Sequence, residues 1–152
     1  LSTRSTAHFI DNSGATQAIV YRHWDGYPEV AGRDILQFIE TVKKNSPGDT
    51  RFTDPEYLAA RYVAFLGDKF SVTGAMDMGV WHEEKLPPYS FISVGVCMRD
   101  PGDIEYRYLI NCGLSYDPSG QITEEVGVEF VNIYRNTKHD LREYLATVEA
   151  TA

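Results

Sequence analysis

Turn-forming sequences recur along this chain: Asp11-Asn12-Ser13-Gly14, Asp25-Gly26-Tyr27-Pro28, Ser46-Pro47-Gly48-Asp49, Asp100-Pro101-Gly102 and Asp117-Pro118-Ser119-Gly120. Each joins a side chain that bonds its own backbone to a Gly or Pro that presets the local dihedrals, so regular structure has to stop there. Only strands and helices of modest length fit between such stops. The pattern predicts an α+β fold with a mostly antiparallel sheet and about three helices.

The segments bear this out individually. Residues 2–10 and 16–24 are rich in Thr, β-branched and aromatic types around Asp11–Gly14, which reads as a β-hairpin over 2–24. From Glu29 to Lys44, Val30, Ile35, Leu36, Ile39 and Val42 recur near helical spacing, with Lys43 and Lys44 at the end where the helix dipole favours cations. Thr53 or Asp54 caps a second helix with Pro55 in its first turn, an apolar face of Tyr57, Leu58, Ala60, Val63 and Phe65 beside Arg61, and Gly67 at its end. Phe70–Trp81 fits a short strand at either end, and Glu83–Pro88 reads as a loop.

Tyr89–Met98 and Ile104–Cys112 read as a second hairpin, 89–112, around Asp100-Pro101-Gly102. Setting Arg99 opposite Asp103 places Ile92, Val94, Val96 and Met98 against Ile110, Tyr108, Tyr106 and Ile104, a wholly apolar or aromatic face. That register keeps Cys97 and Cys112 apart, so they are expected as reduced thiols. Val126–Tyr134 alternates as a further strand, and Thr137 caps a last helix running to about Val148.

The chain has 152 residues, 43% of them apolar. That is one domain's worth, expected to span 1–152, and roughly two-thirds of the unfolded surface can be buried at this length. No apolar run approaches a membrane span and no leader pattern opens the chain, which points to the cytoplasm. Leu1 fits a non-standard leucine start codon read literally, or a trimmed chain. Lys and Arg number 14 against 22 Asp and Glu, a net charge of −8 concentrated toward the C-terminal part. General nucleic-acid binding through phosphate neutralisation is therefore disfavoured.

Familiar catalytic patterns are incomplete. Trp81-His82-Glu83-Glu84-Lys85-Leu86 lacks the second histidine of a zinc-protease helix, and Gly74–Gly79 is followed by Val80-Trp81 where a phosphate loop needs Lys and Ser or Thr. Four scattered histidines and two cysteines form no metal pattern. No catalytic residue, metal ligand or cofactor is assigned.

One segment carries a functional signal: Tyr21-Arg22-His23-Trp24-Asp25-Gly26-Tyr27-Pro28-Glu29. It brings titratable groups, two large π faces and a carboxylate to a strand end before a helix. A ligand joining an aromatic base to phosphate would stack on Trp24 or Tyr27 and pair with Arg22 or Arg33, with Arg4 of the neighbouring strand adding a guanidinium. A structural reading stands beside this one. Trp24 then anchors the core, Asp25 accepts backbone N–H bonds, Gly26 supplies a positive φ and Pro28 starts the helix. An arginine within a short strand needs solvent, a carboxylate such as Asp25, or an anion. A second surface joins Arg107 and Asn111 to Ser93 and Gly95, with a plain solvated sheet face as its alternative.

Ser2-Thr3-Arg4-Ser5-Thr6, His23-Trp24-Asp25-Gly26-Tyr27-Pro28 and Gly102-Asp103-Ile104-Glu105-Tyr106 resemble segments of a set of small phage and prophage proteins. The resemblance implies a viral coding origin and action inside a bacterial host cell. It further implies a functional likeness to phage anti-defence proteins of the anti-Thoeris type, which sequester nucleotide-derived immune signals and are commonly oligomers. The leading expectation is a protein that binds a small anionic, nucleotide-like ligand through Arg4, Arg22, His23, Trp24, Asp25, Tyr27, Arg33, Arg107 and Asn111, as a homo-oligomer. Two alternatives stay open: an acidic, nucleic-acid-mimicking inhibitor that meets a basic host protein through Glu124, Glu125 and Glu129, and a small hydrolase using His23.

Overall fold

The computed structural model describes residues 2–46, 50–113, 115–116, 118–123 and 126–151. Their elements run β1 (Ser5–Ile10), β2 (Thr16–Arg22), α1 (Arg33–Asn45), α2 (Pro55–Phe70), β3 (Val72–Asp77), β4 (Val80–Lys85), β5 (Val94–Cys97), β6 (Tyr106–Asn111), β7 (Ser115–Tyr116), β8 (Ile122–Thr123), β9 (Gly127–Asn132), β10 (Thr137–Asp140) and α3 (Leu141–Thr151). A π-type turn at Pro28–Gly32 leads into α1. Six strands form one sheet in the order β10-β9-β6-β1-β2-β5, and β3–β4 and β7–β8 are separate two-stranded ribbons. This is the α+β fold read from the sequence. None of the described helices is long and apolar enough to cross a membrane.

The sheet buries one face against all three helices. Ala7 and Phe9 of β1, Val20 of β2, Tyr108 and Ile110 of β6, and Val128 and Phe130 of β9 point one way, as period-2 alternation requires. They meet Ile35, Phe38, Ile39 and Val42 of α1, Leu58, Ala59, Tyr62 and Leu66 of α2, and Leu141 and Leu145 of α3. Tyr62 lies at the centre, with its ring 5.7 Å from Phe9 and 5.2 Å from Phe38. Each such large side chain contributes about 1.5–3 kcal/mol on leaving water.

The hairpin over 2–24 is present, with Ser5 opposite Arg22 and a register irregularity near Ile10. Asp11 shapes its turn: its carboxylate accepts the N–H groups of Ser13 (2.9 Å) and Ala15 (3.0 Å). The hairpin over 89–112 is not present. β5 pairs antiparallel with β2, whereas β6 pairs parallel with β1 and antiparallel with β9. Asp100-Pro101-Gly102 does turn the chain, with Gly102 at φ 76°, but the turn belongs to a crossover. β5 and β6 run in the same direction two strands apart, so residues 98–105 must travel back along the sheet. Ion pairs of Asp100 with Arg107 and of Asp103 with Arg4 hold that crossover over the face opposite the helices. Beneath it Thr6, His8 and Ile104 are buried. The apolar alternation was therefore half informative: Tyr108 and Ile110 enter the core, while Ile92, Val96 and Met98 are exposed.

Other differences are local. The ambiguous stretch after Phe70 and the expected loop at 83–88 form the β3–β4 ribbon, with Thr73 opposite Glu84. Gly67 does not end α2. It stands where the Phe91 ring approaches so closely that a Cβ would come within 2.7 Å of it. The buried face of α2 is Leu58, Ala59, Tyr62 and Leu66, and Tyr57 faces out beneath the Arg51 guanidinium, 4.9 Å from its ring. Thr137 begins β10 rather than a helix, and Asp140 caps α3 by accepting the Glu143 N–H at 3.0 Å. Cys97 and Cys112 are free thiols, as their separation implied. Burial pushes the Cys112 thiol up to about 12, so it stays protonated in the core.

Candidate functional site

Arg22 and the loop that follows it lie at one end of the sheet. Across the helix-facing side runs a row of paired positions, Asn132, Tyr106, Ser5, Arg22 and Val94. Arg22 is buried there. Its Nη1 donates to Asp34 Oδ2 at 2.6 Å, its Nε donates to the Trp24 carbonyl at 2.7 Å, and its guanidinium lies 5.0 Å from the Phe70 ring centre. Lys69 reaches the other oxygen of Asp34 at 3.0 Å. The strand arginine thus finds its carboxylate on α1 rather than at Asp25.

The loop after β2 folds back over Ser5. Gly26 donates its N–H to Thr3 O at 2.9 Å and accepts the Tyr108 hydroxyl at 2.6 Å. Asp25, not Gly26, carries the positive φ, at 52°. Glycine is required at 26 for proximity, since a Cβ would sit 2.8 Å from Thr3 O and from Ser5. Trp24 is 49% exposed and packs edge-on against His23, so it is not a core anchor. Tyr27 is also partly open to solvent. His23 Nδ1 lies 2.7 Å from the Tyr21 hydroxyl and Nε2 lies 3.5 Å from Ser2 Oγ. Among the described residues no carboxylate bonds the His23 ring.

The remaining candidates are dispersed. Arg4 and Arg107 lie on the crossover side of the sheet with Asp103 and Asp100. Arg107 Nε is buried there without a hydrogen-bond partner among the described residues. Asn111 approaches Glu129 at 3.4 Å, and Gly95 lies two strands away beyond β1 and β2. Arg33 pairs with Glu149 at 2.6 Å across an open groove of about 470 Å³ between α1 and α3, which Arg142, Leu145 and Leu36 also line. Each of Arg4, Arg22, Arg33 and Arg107 therefore has a carboxylate partner within the chain. Glu124 and Glu125 lie outside the described residues. Glu129 pairs with Lys138 at 3.5 Å.

A more enclosed, more polar cleft opens beside the same loop. Its volume is about 370 Å³, and Glu105, Tyr106, Asn132, Tyr134, Arg135 and Tyr144 line it. The end of β9 builds one wall. Asn132 Oδ1 accepts the Arg135 N–H at 3.1 Å, and Asn136 takes a left-handed φ of 52°, which turns the chain sharply toward β10. Tyr144 of α3 also lines the cleft, and its hydroxyl donates to Glu29 Oε1 of the Pro28–Gly32 turn at 2.9 Å. Burial raises the Tyr106 hydroxyl, and Glu29 and Glu105 raise it further. Burial and the Glu29 hydrogen bond likewise raise Tyr144. Both phenols therefore stay neutral donors.

Arg135 is exposed at the rim and makes no ion pair among the described residues. The cleft thus presents one guanidinium, several aromatic faces, phenol groups and one carboxylate acceptor, Glu105. Such a set recognises a ring with an anionic group and hydroxyl or amino substituents. It pairs no nucleophile with a base. Sequence reading chose Tyr21–Glu29 and passed over Ile133-Tyr134-Arg135-Asn136, although the same signal is present there: arginine beside an aromatic at a strand end, followed by a residue that tolerates a left-handed turn. No family model, curated protein or solved structure significantly matches the chain, so the site rests on the chain's own residues.

Proposed function

We propose that this chain is a binding protein for a small nucleotide-derived ligand, held in the cleft that Glu105, Tyr106, Tyr144 and the end of β9 line. The observation that supports this reading is Arg135, a guanidinium without a carboxylate partner among the described residues, at the rim of a cleft lined by Tyr106, Tyr134 and Tyr144. The phosphate meets Arg135, the base stacks on a tyrosine, and ribose hydroxyls reach Glu105 and Asn132. The cleft volume falls within the usual range for small-molecule sites.

The action is sequestration rather than conversion, because the lining offers recognition groups without an activated nucleophile. In a phage-infected bacterial cytoplasm, the setting implied by the sequence resemblance, such a protein lowers the free concentration of a nucleotide immune signal.

The test is calorimetric titration of linear and cyclic adenine nucleotides into the wild type and Arg135→Ala, with chromatography of the recovered nucleotide. Binding is expected in the wild type, with a loss of about tenfold to a hundredfold in Arg135→Ala, the range for a charge-assisted hydrogen bond. The nucleotide is recovered intact. Arg33→Ala, in the open groove, leaves affinity unchanged. Equal binding by Arg135→Ala removes this cleft, and recovery of an altered nucleotide replaces sequestration by catalysis.

A further inference from the structure

The two edges of the main sheet differ in a way that carries an inference independent of the cleft. β10 is the edge beside β9, and it is Thr-Lys-His-Asp, polar throughout and continuous with α3. Charged side chains of this kind are how sheet edges avoid pairing with other chains. β5 is the edge beside β2, and it is Val-Gly-Val-Cys. No charged residue occurs between Lys85 and Arg99, so the whole approach to this edge is neutral in a chain of net charge −8. Ile92 is 95% exposed, Val96 68% and Met98 99%.

The backbone polarity of β5 can be worked out. His23 donates its N–H to Ser93 O at 2.9 Å, and Tyr21 opposes Gly95 while Ile19 opposes Cys97. In an antiparallel ladder alternate residues turn both polar groups to the same neighbour. Ser93, Gly95 and Cys97 therefore face β2, and the N–H and C=O groups of Val94 and Val96 face outward. A second β5 related by a two-fold axis can use them in either available register. Centred on Gly95, Val94 opposes Val96 and Ile92 opposes Met98; centred on Val96, Val96 opposes its own copy and Val94 opposes Met98. Every cross-strand pair on that face is apolar.

The β3–β4 ribbon, which leads through residues 86–93 into β5, carries exposed apolar side chains of its own. All six residues of β4 are exposed, including Val80 and Trp81, and Met78 at the ribbon's tip is exposed as well. A two-stranded ribbon without a covered face is marginal alone. Val72, Met78, Val80, Trp81 and Tyr89 are exposed in addition to the three residues at the edge, and a stable interface buries about 800 Å² per partner. Like charges at −8 on each chain oppose contact elsewhere, and the neutral edge is where two copies meet without that repulsion.

We propose that two copies of this chain associate through the outer edge of β5, antiparallel about a two-fold axis, with the β3–β4 ribbon of each lying against the other. The occupant is a second copy because the edge is self-complementary in both registers and uncharged.

Sedimentation velocity of the full chain over a concentration series tests this. The wild type is expected as a dimer, and Val96→Lys, which places two lysines at or one position from the axis in either register, as a protein whose dimer dissociation constant is raised about thirtyfold or more. Lys138→Glu at the β10 edge leaves the dimer intact. Circular dichroism checks that Val96→Lys folds, and Met98→Glu, at a fully exposed position, decides the matter if it does not. A wild type that stays monomeric at the highest concentration overturns the proposal and leaves this edge for a different protein. A dimer that survives both substitutions overturns it by placing the contact elsewhere.

Discussion

Asp34 receives Arg22 on one oxygen and Lys69 on the other, yet the two contacts differ in consequence. Arg22 and Asp34 are both withdrawn from water, whereas the Lys69 side chain is 40% exposed. Asp34→Ala leaves a buried guanidinium without its counter-charge and is expected to cost about 3–5 kcal/mol. The double variant Arg22→Met, Asp34→Leu removes both charges and recovers most of that loss, while Lys69→Met costs less than about 1 kcal/mol. Urea denaturation of the three variants measures these differences. His8 behaves differently because it titrates. It is buried beneath the crossover with Nε2 3.0 Å from Thr6 Oγ1; burial, then Arg107, lower its pKa from 6.5, and Asp100 opposes them. The unfolded chain therefore binds this proton more tightly than the folded one. The contribution of His8 is complete above about pH 6.5 and is lost as the pH falls toward the lowered value. The difference in stability between wild type and His8→Gln is expected to move against the wild type from about pH 7 to about pH 5, and urea midpoints across that range report it. At this scale the sequence was legible in part. It showed that Arg22 needs a counter-charge, but the choice among solvent, Asp25 and an anion could not include Asp34, which only the packing of α1 on the sheet brings near.

Among the elements, the 23–27 loop is held by contacts with no tolerance for bulk. Alanine at Gly26 drives a Cβ against the Thr3 carbonyl, a backbone atom just ahead of β1, and against the Ser5 side chain. Gly26→Ala is expected to cost about 1–3 kcal/mol, whereas Gly95→Ala, with nothing within 4 Å of its Cβ, leaves the thermal midpoint nearly unchanged. Thermal unfolding of the two variants separates them. Elements governed by local chemistry were readable in advance: the β1–β2 hairpin from its Asp-Asn-Ser-Gly turn, α1 from its period, α2 from Asp54-Pro55. The pairing of β5 and β6 was not, because cross-strand arithmetic sees only the two strands it compares. β1 offers β6 a six-residue parallel partner in the core, and the short crossover lets β6 take it. The cleft was missed for a related reason. Glu29, Tyr106, Arg135 and Tyr144 come from four separate elements, and no window of sequence contains more than a fragment of the set.

For the whole molecule, covering one face of the sheet with three helices and the other with an eight-residue crossover explains where polarity collects. The helix side carries the continuous apolar core, with Arg22 and Asp34 as its buried charged pair. The crossover side carries a thinner cover of ion pairs over Thr6 and His8. The class of fold followed from turn spacing and composition, since both are properties of the chain as a whole. Strand order did not, because it depends on which edges remain free once the nearest neighbours have paired.

The parallel bond between β1 and β6 also sets a schedule for biosynthesis. β1 leaves the ribosome roughly 100 residues before the strand that completes its second edge, a delay of about 5–20 s at ordinary rates of translation. Through that interval the nascent hairpin has Thr6 and His8 uncovered and one row of backbone groups unpaired. The strand at the centre of the finished sheet is thus the one that waits longest for its neighbour, and a ribosome-associated chaperone has its clearest binding opportunity there.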